Sequence, residues 1–379
     1  GVLPIVVWSM PATAMPGAAG KQSTVKPIVV ETVKTTTLED ALENLRAERV
    51  VYVGETHTSL SDHQLQLQVL KSMAAQGGEL VLGVEWFQRP FQPVLDRFIA
   101  GEIDEKQLLR DTEYFQRWGF DYRLYRDILR YAREQGIRVL ALNASRELTD
   151  QIGKHGLDGL PDSVSEQKPD SYDFDDAQYA TYLKDVFEQH QSRLPGAEKD
   201  GAFRRFLEVQ LTWDESMAQT VAEHLQANPS ARVLVLAGRG HTHAAAIPRR
   251  VTRRTNIVGV SIASYETNSP FEQPDYLVLQ ESQRLPPQGL IGVGLEEGED
   301  GVVITSISPG SNAKDAGIEI GDQIIRVGDK AIDDYMDIRL TMLDRRPGDK
   351  LRLRLRREGW LGSEREIDAE VSLIAAGRP

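Results

Sequence analysis

Two apolar runs limit this chain more than anything else in it. Residues 50–53, Val50-Val51-Tyr52-Val53, and residues 232–237 are rich in β-formers without polar alternation, the pattern of strands buried on both faces. Each run ends on Gly-x-x-His, at Gly54/His57 and Gly238/His241. At average composition about one such spacing arises by chance in a chain this long, so its recurrence at two strand ends is the informative part. Glu55 and His57 fall just past the first strand, where α/β sheets place their ligands. Ser61 or Asp62 can cap the helix that follows, whose first turn points free N–H groups at the same crevice.

The rest of the first 280 residues extends this pattern. A strand over 79–87 delivers Glu85, and one over 137–143 delivers Asn143. Strands over 256–262 and 275–279 complete the sheet, while helices are expected over 37–45, 61–75, 90–135 and 201–226. Strands alternating with helices predict an α/β domain, a largely parallel sheet flanked by helices. Glu55, His57, Glu85, Asn143, Arg239 and His241 should then converge on one crevice. Residues 150–200, rich in Gly, Pro, Asp and Ser with Tyr172, Tyr179 and Tyr182 among them, suit a lid-like insertion over it.

Composition narrows the function classes. A net charge of -13 argues against nucleic acid or an anionic membrane surface as the main partner. With no cysteine there is no disulfide, thiolate metal site or cysteine nucleophile, so any metal must use His, carboxylate, Tyr or main-chain ligands. The apolar start, residues 2–8, and Ala12-Thr13-Ala14 fit the end of a signal peptide and its small-x-small cleavage site. This reading makes residues 1–36 an export leader without fold and the protein periplasmic or otherwise extracytoplasmic.

After a Pro-containing linker at 282–289 comes a small β-rich module over 290–375. In its last predicted strand Leu351, Leu353 and Leu355 alternate with Arg352, Arg354 and Arg356; period 2 makes those arginines a wet strand face rather than a nucleic-acid stripe.

Five stretches in order, namely the Gly54–His57 corner, Gly83-Val84-Glu85, Leu142-Asn143, residues 213–218 and residues 237–241, together resemble the ChaN family. That family is associated with haem binding and bacterial iron uptake, in a superfamily with Tiki metalloproteases, TraB-like proteins and erythromycin esterases. This chain lacks the lipid-acceptor cysteine of its lipoprotein members. The C-terminal module resembles a bacterial PDZ domain: Ile291, Gly292, Val293, Gly294 and Leu295 match its carboxylate-binding loop, and residues 316–325 match its Ala-Gly-hydrophobic and Gly-Asp-x-Ile core. Successive loop amides would hold a peptide carboxylate while the partner adds as a strand.

The resemblance implies a haem- or iron-related binder of the cell envelope. Haem needs an apolar slot, an axial ligand and donors for two propionates. The aromatic stretch from Tyr114 to Tyr131 is expected to wall the slot, with Tyr114, Tyr122, Tyr125, Tyr179 and Tyr182 as candidate axial tyrosinates. His57, Asn143, Arg239 and His241 would complete the ligand site. The alternative is a metal-dependent hydrolase in which His57, His241, Glu55 and Glu85 hold Zn, Mn or Co, one glutamate serving as general base. A third reading is an inactive α/β body presenting a PDZ module to protein C-termini. A homodimer is compatible with each.

Overall fold

The computed structural model describes residues 28–31, 34–190, 196–266, 273–298, 301–359 and 363–375; the expected export signal lies outside them. The chain divides after Arg284 into two units.

In the first unit the strands are β1 (Ile28–Glu31), β2 (Lys34–Thr37), β3 (Val50–Glu55), β4 (Leu80–Gln88), β5 (Arg138–Asn143), β6 (Arg232–Gly238), β7 (Val260–Ser264) and β8 (Tyr276–Leu279). They form one sheet in the order β2-β1-β8-β7-β3-β6-β4-β5. From β8 to β5 every neighbouring pair is parallel, as the alternation of strands and helices predicts. Beyond β8, β1 and β2 continue the sheet antiparallel. Those strands overturn the expectation of an unstructured leader through residue 36: their Val and Thr residues find a sheet edge that local composition cannot reveal. β3 and β6 are buried throughout and lie side by side at the centre, Glu55 opposite Gly238. β4 flanks β6, with Val84 opposite Leu236, so Glu85 leaves the same edge. The three expected strand ends are therefore adjacent.

The helices are α1 (Leu38–Leu45), α2 (Leu60–Ala75), α3 (Gln92–Ile99), α4 (Glu105–Asp111), α5 (Tyr114–Arg117), α6 (Arg126–Glu134), α7 (Arg146–His155), α8 (Asp162–Ser165), α9 (Ala177–His190), α10 (Gly196–Ala227), α11 (Arg239–Thr242) and α12 (Ile247–Thr255). Ser59, not Ser61 or Asp62, caps α2 by accepting from the Asp62 N–H. The span 90–135 breaks into short pieces, with Gly101 and Gly119 at positive φ between them. Residues 256–259 do not begin a strand: Asn256 adopts φ 59 and ends α12, so β7 starts later. Met217, Val221 and Leu225 of α10 and Ile247 and Val251 of α12 close over Val50, Tyr52, Val233 and Val235. Each fully buried Val or Leu contributes about 1.5–3 kcal/mol, so this layer holds α10 and its polar residues against the sheet.

The second unit carries β9 (Gly289–Leu290), β10 (Val293–Gly298), β11 (Gly301–Ile307), β12 (Gln323–Val327), β13 (Lys330–Ala331), α13 (Tyr335–Met342), β14 (Lys350–Glu358), β15 (Glu364–Ser372) and β16 (Ile374–Ala375). Its main sheet runs β10-β11-β12-β14-β15, leaving β10 at one edge. The alternating leucines of β14 are buried, Arg352 and Arg354 are exposed and Arg356 is half-buried; Arg354 pairs with Asp368 at 2.8 Å and Lys350 with Glu370 at 3.1 Å on β15.

Candidate functional site

At the carboxyl edge of the sheet two carboxylates stand between imidazoles. Glu55 ends β3, and its side chain is buried. Its Oε1 accepts from His57 Nδ1 at 2.8 Å and from the Tyr125 hydroxyl at 3.3 Å. Its Oε2 is 2.9 Å from Nδ1 of His63 in the first turns of α2. Burial alone would raise the Glu55 carboxyl, but the charge and hydrogen bond of His63, with the hydrogen bond from His57, hold it well below the usual carboxylate range. His63 is buried, a setting that opposes its charge; Glu55 outweighs this and its affinity for a proton is raised. The other His63 nitrogen faces the His57 carbonyl at 3.2 Å. With both nitrogens facing acceptors, His63 has the partners that favour an imidazolium.

The second group lies across Gly238. Its N–H donates to Glu85 Oε2 at 2.7 Å. Glu85 Oε1 is 3.4 Å from His241 Nε2, and His241 Nδ1 is 2.6 Å from Asp214 Oδ1 on α10. Tyr179 on α9 donates to Asp214 Oδ2 at 2.5 Å. Burial would lower the His241 pKa, but Glu85 and Asp214 bring it up to about 9. Burial would raise Asp214, and His241 holds it below the usual range. His241 is thus the second imidazolium.

His57 differs. Its Nδ1–H donates to the ionised Glu55, and its Nε2 has no hydrogen-bond partner among the described residues. Its ring lies 4.9 Å from Trp118 and 4.6 Å from Phe120, both half-buried. A Cβ built on Gly238 would stand 2.8 Å from His57 Cε1, so the imidazole is seated directly on that glycine. A carboxylate that fixes one imidazole nitrogen and leaves the other free is the arrangement that presents a lone pair to a metal.

The structure thus brings Glu55, His57, Glu85 and His241 to one sheet edge and adds His63 and Asp214, which sequence reasoning missed as site residues. The signal for Asp214 is an acid on the apolar face formed by Met217, Ala218 and Val221. Asn143 ends β5 with its Oδ1 buried and without a hydrogen-bond partner among the described residues. Arg239 is not open to an anion: it donates to the Ser264 carbonyl at 2.6 Å and pairs with Asp62 at 3.3 Å and Glu266 at 3.6 Å.

Two expectations need correction. The aromatic stretch does not wall a tyrosinate slot, since Tyr114, Tyr122 and Tyr125 are core residues at 1%, 0% and 0% exposure. Burial pushes the hydroxyls of Tyr122, Tyr125 and Tyr179 well above the ordinary phenol range, and Tyr125 donates to Glu55 and Tyr179 to Asp214. Nor do His57, His241, Glu55 and Glu85 form one cation site. Among the described residues no group of three or more His, Asp or Glu side chains is arranged to hold a metal ion, because each carboxylate is committed to the imidazole or N–H beside it.

A family model described as haem-binding uptake, Tiki superfamily, ChaN matches residues 41–251, more than half of the chain. The chain belongs to this ChaN family. The resemblance of the strand-end motifs is thereby borne out. A PDZ model matches residues 289–371. A structure described as cofacial haem binding to ChaN of Campylobacter jejuni is 17% identical, aligns over 69% of this chain and 99% of its own, and has a TM-score of 0.56. At that identity the likeness shows a shared fold. An HtrA-type protease AlgW with decapeptide is 17% identical over 24% of this chain and 31% of its own, TM-score 0.22. A serine endoprotease from Yersinia pestis is 24% identical over 24% and 30%, TM-score 0.20. No curated protein matches the chain.

Proposed function

We propose that this ChaN-family protein binds haem through His57 at the carboxyl edge of the sheet and uses its PDZ domain to hold a protein C-terminus. One observation carries the first part: of the three histidines facing Glu55 and Glu85, two have both nitrogens against acceptors, and among the described residues His57 alone keeps a nitrogen free. Haem would supply an iron that takes a nitrogen donor from the protein. His57 Nε2 is the donor that suits it, Glu55 holds the imidazole in the required tautomer, and Trp118 and Phe120 offer apolar faces for a macrocycle. Burial of Tyr122 and Tyr125 disfavours a tyrosinate in that role. The small-x-small stretch near the start supports export, and the mass of the mature protein purified from the cell envelope tests that part.

Titration of the full chain with haemin tests the ligand. A Soret shift that saturates with wild type and disappears in His57→Ala is the expected result. An unchanged haemin spectrum at stoichiometric wild-type protein overturns haem binding; equal shifts in both proteins overturn the role of His57.

A further inference from the structure

The open edge of β10 is bordered by acids that form no ion pair with a described residue. β10 has no strand on its outer side among the described residues, and α13 lies against it. Val293 and Leu295, two apart, pack towards the domain core together with Tyr335 of α13. Glu296 and Glu297 on the strand and Asp333 just before the helix are exposed. Glu297 Oε2 accepts from the Tyr335 N–H at 3.3 Å, which places it beside the amino end of α13. None of the three acids forms an ion pair with a described residue, whereas the acids of β15 are matched by the arginines and lysine of β14. The helix's own Arg339 is engaged with a neighbour rather than free.

This asymmetry bears on what the edge accepts. A C-terminal peptide whose carboxylate sits in the loop at Ile291–Val293 runs towards that loop, antiparallel to β10. At about 3.3 Å per residue, Glu296 and Glu297 then stand beside positions roughly two to four residues before its end. We propose that the groove between β10 and α13 selects C-termini with an apolar last residue preceded, within those positions, by Lys or Arg. The inference rests on the peptide-binding reading of the PDZ domain. Exposed ion pairs are individually weak, so two or three together should give a preference on the order of tenfold at low salt, shrinking as salt screens them.

The test uses the full chain and fluorescent decapeptides ending in the same valine, with Lys, Ser or Glu at the three upstream positions, at low and high salt. A C-terminally amidated Lys peptide serves as control. The expected order is Lys tighter than Ser tighter than Glu, with the gaps narrowing at high salt and the amide failing to bind. Glu296→Lys/Glu297→Lys, with its fold checked by far-UV circular dichroism because Glu297 accepts from the Tyr335 N–H, should reverse the order. Equal affinities, or an order unchanged by charge reversal, overturn the charge preference while leaving peptide binding in place. No binding by any free-carboxylate peptide overturns both.

Discussion

Raising the pH should loosen the first unit through His241. Its ordinary pKa of 6.5 is brought up to about 9 by Glu85 and Asp214 in the folded chain. Below pH 6.5 the imidazole is protonated in both folded and unfolded states, and the full contribution of the two carboxylates is present. Between pH 6.5 and 9 the unfolded chain loses that proton while the folded chain keeps it, so stability declines as pH rises. At about 1.4 kcal/mol per pH unit the loss accumulates to about 3 kcal/mol, a large part of a typical domain's stability. Urea unfolding followed by far-UV circular dichroism at intervals from pH 6 to 10 measures it. His241→Gln is the control: it removes the titrating group, so subtracting its profile cancels every other group. A wild-type profile parallel to that of His241→Gln across this window would refute the reasoning, because Asp214 and Glu85 would then not be holding a proton on His241.

Three further outcomes follow from the same geometry. On the acid side the sign reverses: Glu55 is held below its ordinary 4.5, so stability should fall as pH drops below that value, and Glu55→Gln should flatten this limb in the same unfolding assay. Gly238→Ala has a backbone that alanine tolerates, φ -57, but its Cβ would stand 2.8 Å from His57 Cε1. Displacing His57 from Glu55 forfeits a charge-assisted hydrogen bond of about 1.5–3 kcal/mol, and haemin affinity should drop about tenfold or more, read by Soret titration. In the PDZ domain, Gly292 has φ +81 and a built Cβ would lie 2.4 Å from Ser311 Cβ. Gly292→Ala should cost about 1–3 kcal/mol of strain and abolish peptide binding measured by anisotropy; unchanged binding would remove the loop from the peptide site.

Much of the sheet edge was legible from local chemistry. Unbroken apolar runs mark β3, β4 and β6, and the residues after them must leave at the strand ends; this is why Glu55, His57, Glu85 and His241 could be named together. The limits are equally physical. β1 and β2 are short and gain their pairing only from the edge of β8, so nothing local distinguishes them from a leader. Aromatics at helical spacing read alike whether they line a slot or fill a core, and only packing buries Tyr114, Tyr122 and Tyr125 while leaving Trp118 and Phe120 half-exposed around His57.

The sequence by itself determined the α/β class, the strand ends that carry acid and histidine, and the PDZ module, because periodicity and glycine breaks act within a few residues of one another. Only the tertiary structure decided the proton allocation. Glu55 meets His63 because α2 turns back over β3, and His241 meets Asp214 because α10, buried by its apolar face, lays an acid against the end of β6. The free nitrogen of His57 and the open edge of β10 are likewise outcomes of strand order and helix packing between residues far apart in the chain, which no local pattern encodes.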